Sequence, residues 1–341
     1  MMTYDVHTHI GLDTGFYLRG WWPYASTAAD LLAQMDAHGI DRAVCFPFTL
    51  PSAFDADAFA DRSEIELRPD RFPFDRENAL LAKEIERIDA GGRLVQFAMF
   101  DPSREIDRQA EAIRALIAAG RIGGLKTQST VLRSPVRALM EQGRPLMTLA
   151  EEFDLPVLFH TSVNDPWAQV ADCLAVARAF ENVRFNLAHS CRFHEPLLRE
   201  CAGAPNVWVD CSAHLAHCQL ARENRAAVAP AAQRVRSDYH EPADVLVAVH
   251  AMLGDRYMWG SDNPFMSWCD DNLRIVYTYD QEIAVVNDLP AHVRRSMLSD
   301  APHAWLFGRR GGGPGGVGVS AGNAGGGGNA GVAKNNTERS S

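Results

Sequence analysis

No two cysteines of this 341-residue chain form a C-x-x-C pair, and no apolar run reaches 18 residues. The first absence argues against a thiolate zinc site or a dithiol redox centre, the second against a membrane-spanning helix. The seven cysteines, at positions 45, 173, 191, 201, 211, 218 and 269, are scattered through apolar stretches. They read as the reduced thiols of a cytoplasmic protein. No basic or apolar leader precedes the first strand pattern, so a secretory signal is not expected. Positive charge is scarce: 33 Lys and Arg face 43 Asp and Glu, for a formal net charge of −10. That balance disfavours nucleic acid or an anionic membrane as a partner. A G-x-G-x-x-G turn is also missing after the first strand, which weighs against a dinucleotide fold.

What is present is a rhythm of apolar strand followed by amphipathic helix. Strand patterns fall at 4–10, 41–48, 93–100, 122–128, 156–162, 183–190, 207–213 and 257–262, with helical patterns between them. Thr27-Ala-Ala-Asp30 resembles a capping box at the head of the first helix, which Gly39 ends. Near-continuous apolar strands alternating with helices imply a parallel sheet covered by helices, and eight such units imply an α/β fold, a closed (β/α)₈ TIM barrel over residues 1–308. The connections 47–75 and 214–241 are too long for simple turns and are expected to form lids or binding loops at the catalytic face. The aromatic-rich segment 15–24 after the first strand is expected to wall a pocket there. Residues 309–341, rich in Gly, Asn and Ala, have almost nothing to bury and are expected to be a disordered tail.

The chemistry begins at Asp5-Val6-His7-Thr8-His9. Side chains alternate along a strand, so His7 and His9 share a face, with Asp5 below them. The carboxyl ends of all strands in a parallel barrel lie on one rim, so His160, His189 and Asp262, each at the end of a later strand pattern, converge on that pair. Neutral imidazoles with a carboxylate suit Zn²⁺ or a similar divalent ion, which brings the pKa of water from near 16 to roughly 7. Asp262 can hold the metal through one oxygen and take a proton with the other. His189 can act as a base or hold an oxyanion. Arg192 and Arg19 are candidate carboxylate clamps, because a guanidinium grips such groups bidentately. Asp210 reads as a supporting partner, and His214 and His217 as packing within a lid.

The Asp-x-His-x-His start, Gly124-Leu125-Lys126, the strand-end His160 and His189, Trp259-Gly-Ser-Asp262-Asn-Pro264 and the closing Asp300-Ala…Leu-Phe-Gly308 together resemble the amidohydrolase superfamily. Within it they are most similar to the amidohydrolase-related branch that includes aminocarboxymuconate-semialdehyde decarboxylase. The resemblance spans residues 3–308. It implies His7, His9, His160 and Asp262 as metal ligands, with His189 beside the metal water. Lys126 stands where binuclear relatives carry a carbamylated lysine. Carbamylated, it would bridge two ions and move His160 and His189 to the second; as an ammonium it would receive a substrate carboxylate. The branch favours one ion. TatD-like nucleases share the opening His-x-His but carry Glu where this chain has Lys126.

The expected function is metal-dependent hydrolysis of a small carboxylated or cyclic ester, lactone or amide. The alternative is non-oxidative decarboxylation of a small carboxylic acid, built from the same parts. A third reading is a barrel that retains its metal as a binding scaffold. The expected partner is a small-molecule substrate, and the resemblance admits a homodimer.

Overall fold

The computed structural model describes residues 1–13, 25–55, 58, 65–88, 91–269 and 274–308. The aromatic segment at 15–24, Arg19 within it, and the 309–341 tail lie outside the described residues.

Eight strands follow one another around the sheet: β1 Tyr4–Leu12, β2 Arg42–Pro47, β3 Leu94–Met99, β4 Gly124–Thr127, β5 Val157–Phe159, β6 Phe185–Leu187, β7 Val207–Asp210 and β8 Tyr257–Met258. Each pairs in parallel with the next, and the two-residue strand Ala25–Ser26 adds antiparallel to the end of β1. Backbone bonds close the ring where β8 returns to β1. Val6 N–H donates to Trp259 O (3.3 Å), Asp262 N–H to His7 O (2.8 Å) and His9 N–H to Asn263 O (2.7 Å). The fold is therefore the expected (β/α)₈ barrel.

Among the described residues, the helices of nine residues or more are α1 Ala28–His38, α2 Glu77–Ile88, α3 Ile106–Ala118, α4 Arg144–Glu152, α5 Val170–Ala179, α6 Glu195–Gly203, α7 His214–Arg222, α8 Pro242–Leu253 and α9 Tyr279–Asn287. The Thr27–Asp30 capping box and the left-handed Gly39 bound α1 as the sequence indicates. The core has two shells. Val44, Phe46, Phe97, Met99, Leu158, Trp208 and Met258 fill the barrel, with Trp305 from the C-terminal helical turn packed among them. Ala43, Cys45, Ala98, Val157, Phe159, Val207 and Val209, their neighbours along the same strands, face the helices instead. This period-two division is what a sheet buried on both sides requires.

One expectation is corrected. Asp5 does not share a face with His7 and His9, because the pairing of β1 with β2 shifts register between Asp5 and Thr8. An irregularity of that kind turns the side chains before it to the other face. Asp5 accepts instead from the backbone N–H groups of His7 (3.1 Å) and Ser261 (2.9 Å), with the Tyr279 hydroxyl beside it. It ties β1 to the loop after β8 from outside the barrel. Gly260 permits this close approach, since a Cβ there would stand 2.7 Å from His7 Cβ.

The connection at 214–241 is also more than a loop, because α7 occupies its first third. Glu282 of α9 lies on that helix's buried stripe with Tyr279, Ile283 and Val286, and its Oε1 accepts from Leu215 N–H (3.0 Å) at the head of α7. Burial raises the Glu282 carboxyl from 4.5 to about 8, against the opposing pull of its bonds to the α7 backbone. Between those values the unfolded chain has lost a proton that the folded chain keeps. The group therefore costs stability progressively as pH rises through that window. Glu282→Gln keeps the acceptor and removes the titration. Its melting temperature should gain on the parent's from about pH 5 to about pH 8, a span set by that shift. A constant difference across the window would show that Glu282 is already ionised in the folded protein at pH 5.

Candidate metal centre

At the carboxyl rim, His7 Nε2 and His9 Nε2 each stand 3.3 Å from the same oxygen of Asp262, Oδ1. Among the described residues these three form a group whose ligand atoms all lie within 4.8 Å of one another. A separation of 3.3 Å is long for a hydrogen bond to a carboxylate. It is the spacing of ligands sharing a tetrahedral ion with bonds of about 2.0–2.1 Å, roughly 3.3–3.4 Å. The donor set therefore fits a divalent metal.

The supports are built to hold that geometry. His7 Nδ1–H donates to Asp210 Oδ2 (3.1 Å), which leaves Nε2 unprotonated and able to ligate. Asp210 also accepts from Asn186 Nδ2 (2.7 Å) and from the backbone N–H groups of His189 (3.1 Å) and Ser212 (3.0 Å). Burial alone would raise this carboxyl, but His7 and the bonds from His7 and Ser212 outweigh it and hold Asp210 at about 2. The Phe46 ring braces the pair, its centroid 5.2 Å from that of His7 and 4.5 Å from that of His9. Burial lowers the His9 imidazole to about 4, only partly opposed by Asp262, so it is neutral and able to ligate at neutral pH. Asp210→Asn should weaken metal affinity about 10- to 100-fold, because the amide must turn a donor toward donors. Titration against a chromophoric chelator measures this; unchanged affinity would remove Asp210 from the role.

His160 lies in the same pocket but not in the three-residue group. Its Nδ1 is 3.0 Å from His189 Nε2, and its Nε2 is 3.1 Å from Arg192 Nη2. Arginine only donates, so His160 Nε2 accepts; its proton then sits on Nδ1 and is shared with His189. Burial, with the nearby Arg192 charge, holds both imidazoles well below 6.5. His189 Nδ1 stands 3.9 Å from Asp262 Oδ2 and 3.1 Å from Ser212 O. Lys126 is fully enclosed, its Nζ 3.4 Å from His7 Nε2 and 5.0 Å over the Phe46 ring. Burial, against the pull of Asp210 and Asp262, lowers its ammonium to about 7. These groups line a cavity of about 390 Å³ that also takes in Gln128, Val131, Ala216, Leu220 and Phe265.

Two functional positions escape the sequence reading. His217 belongs to the cavity wall, where its Nε2 meets Arg192 Nη1. The usable signal was its place on a helix directly after the seventh strand. Glu282 lies on a helix beyond the eighth strand, outside the strand–helix rhythm, although an acid three residues after Tyr279 and four before Val286 marks its apolar stripe.

A closed barrel that gathers a first-strand His-x-His and an eighth-strand aspartate at one rim defines a class of metal-dependent enzymes. The amidohydrolase family model matches residues 4–308, and the chain belongs to that family. The family includes metal-dependent hydrolases and decarboxylases. Comparison with curated proteins gives no match. Among solved structures, an amidohydrolase from Burkholderia multivorans is 15% identical, with 90% of this chain and 99% of that one covered at a TM-score of 0.59. The 5-carboxyvanillate decarboxylase of Sphingomonas paucimobilis is 12% identical, covering 89% and 98% at 0.57. A dihydroxybenzoic acid decarboxylase from a Polaromonas species, solved with manganese and the inhibitor 2-nitroresorcinol, is 13% identical, covering 89% and 96% at 0.58. At such identities the likeness is one of fold. No helix among the described residues is long and apolar enough to cross a membrane.

Proposed function

We propose that this protein is a metal-dependent hydrolase of a small carboxylated or cyclic ester, lactone or amide, working in the cytoplasm on one bound ion, zinc by the chemistry of its ligands. The observation that carries the proposal is the division of labour in Asp262. Oδ1 is shared by His7 and His9 at 3.3 Å, while Oδ2 turns toward His189 at 3.9 Å. When bound, the ion polarises the scissile carbonyl and lowers the pKa of water. His7, His9 and Asp262 Oδ1 hold it. His160 completes the set only if it releases Arg192 or His189. Asp262 Oδ2 takes the proton from the attacking water and returns it to the leaving group. His189, neutral and held between His160 and Ser212, offers a donor to the oxygen that gains charge only when its Nδ1–H leaves Ser212 O. Lys126 and Arg192 receive the substrate's own anionic group. A carbamylated Lys126 would instead admit a second ion.

Decarboxylation is the second reading, favoured by the Arg192 guanidinium in the cavity, where it would hold a carboxylate about to leave. One screen separates the two. Protein purified without chelator, its metal content measured, is offered lactones, esters, amides and aromatic acids, with CO₂ release and ring opening scored separately. Hydrolysis without CO₂ supports the first reading. CO₂ without net uptake of water replaces it with the second.

A further inference from the structure

The cavity draws on both halves of the barrel. His160, His189, Arg192 and His217 follow β5, β6 and β7, and hydrogen bonds join them to one another. Thr49 and Gln128 follow β2 and β4 on the other half. Thr49 is only 3% exposed, and its Oγ1 has no hydrogen-bond partner. Of the buried hydroxyls left in that state among the described residues, Thr49 alone lines the cavity. Thr8 and Thr161, comparably buried, are satisfied: Thr8 Oγ1 donates to Val44 O (2.9 Å) and Thr161 Oγ1 to Ala188 O (2.6 Å). A buried hydroxyl without a partner carries a desolvation cost, so its place in a cavity wall calls for a reason.

Thr49 is pinned from both sides. The Phe48 ring packs with its centroid 5.2 Å from that of Phe265 and 5.7 Å from that of His9, and Leu50 packs on the barrel core. The hydroxyl is therefore presented by an ordered segment, which lowers the cost of using it. Gln128 is fixed in a different way. Its Oε1 accepts from Thr130 N–H (3.2 Å) at the head of the helical turn Ser129–Leu132. That bond settles which end of the amide is oxygen and leaves Nε2, with two N–H groups, as the free end. Among the described residues no acceptor engages it. Charge in the cavity belongs to Lys126, Arg192 and Asp262, whereas Thr49 and Gln128 are neutral. An anionic group is drawn to the two cations, which leaves the neutral donors for an uncharged oxygen.

We infer that Thr49 is a specificity residue which, with Gln128 Nε2, forms a neutral hydrogen-bonding subsite for an uncharged acceptor oxygen on the substrate, separate from the group that reacts at the ion. This deepens the proposed function and rests on it for where the reacting group sits. The substrate oxygen supplies the partner that Thr49 lacks, so binding removes a cost that the empty wall carries. An analogue without that oxygen seals a hydroxyl and an amide away from water unpaired. Sites built to hydrogen-bond a substrate reject such analogues far better than apolar pockets reject a missing methylene.

The test is calorimetric binding of pentanohydroxamate, and of analogues with one methoxy group at carbon 3, 4 or 5, to the full-length zinc-loaded protein and its variants. The hydroxamate anchors on the ion, and an ether oxygen can only accept, so the ratio of the two affinities reads the subsite. In the parent, at least one ether should bind about 3- to 10-fold tighter than the plain chain, the range for one neutral hydrogen bond. Thr49→Val keeps the outline of the side chain without the hydroxyl and should erase most of that ratio, while Thr49→Ser retains it. Gln128→Glu keeps the oxygen that Thr130 N–H bonds but removes the donors. It should lower the ratio too, and it decides if Thr49→Val does not fold. A purely structural role for Thr49 would change both affinities together and leave their ratio alone. No gain from any ether, a gain that survives Thr49→Val, or no binding of any probe overturns the inference. Plain hydroxamate that binds chelator-treated and zinc-loaded protein alike would sink the one-ion reading, while the ratio still decides the subsite.

Discussion

Asp262→Asn is expected to lower kcat about 10²- to 10⁴-fold, the range for removing a positioned acid–base group, with KM changing far less. The amide keeps the outline of the side chain and a weak oxygen ligand, so the barrel closure through Asp262 N–H to His7 O should survive. What it loses is charge on the oxygen shared by His7 and His9, and basicity on the oxygen facing His189. The first loss appears as weaker metal binding and is repaired by adding metal. The second is not repaired, so kcat measured at saturating metal isolates it. A variant retaining parental kcat under those conditions would mean that another group moves the proton, and His189 would be the first to examine.

How much of this was legible in the sequence follows from how each feature is encoded. The barrel was legible because eight apolar strand patterns separated by helices admit few other parallel arrangements, and strand order in the sheet simply follows chain order. Convergence of His7, His9 and Asp262 was legible for the same reason, since a parallel barrel puts all strand ends on one rim. Asp210 as a support was legible from its place at the end of β7. The orientation of Asp5 was not, because the register shift inside β1 leaves no mark on its nine residues, where Asp5, His7 and His9 keep the alternation of an unbroken strand. Nor was the pairing of His160 with His189 and Arg192. It depends on a left-handed turn at Ser190 and Cys191, and neither is the glycine that would announce such a turn. His217 reads from sequence as lid packing, because the short helix that aims it at the cavity carries too weak an apolar pattern to fix its face. The tail and Arg19 lie outside the described residues.

Stripping the metal should abolish turnover and soften the protein in the same titration. The donors sit on β1 and just after β8, the two strands whose junction closes the ring, so a bound ion would act as a clasp across that seam. Any ligand bound to the folded form alone adds RT ln(1 + [L]/Kd) to stability, about 4 kcal/mol at a thousandfold excess over Kd. For a barrel of this size, that corresponds to a shift on the order of ten degrees in melting temperature. Chelation followed by gel filtration should therefore lower the melting temperature and remove activity together. Returning Zn²⁺ or Mn²⁺ should restore both, and the ion restoring the higher kcat identifies the better catalytic metal. Asp262→Asn should show a much smaller thermal response to either ion, because it lacks the charge that holds the clasp. Full activity in protein shown by elemental analysis to be metal-free would mean that the His7–His9–Asp262 cluster works without a cation. The 3.3 Å spacing of its donors would then need a different explanation.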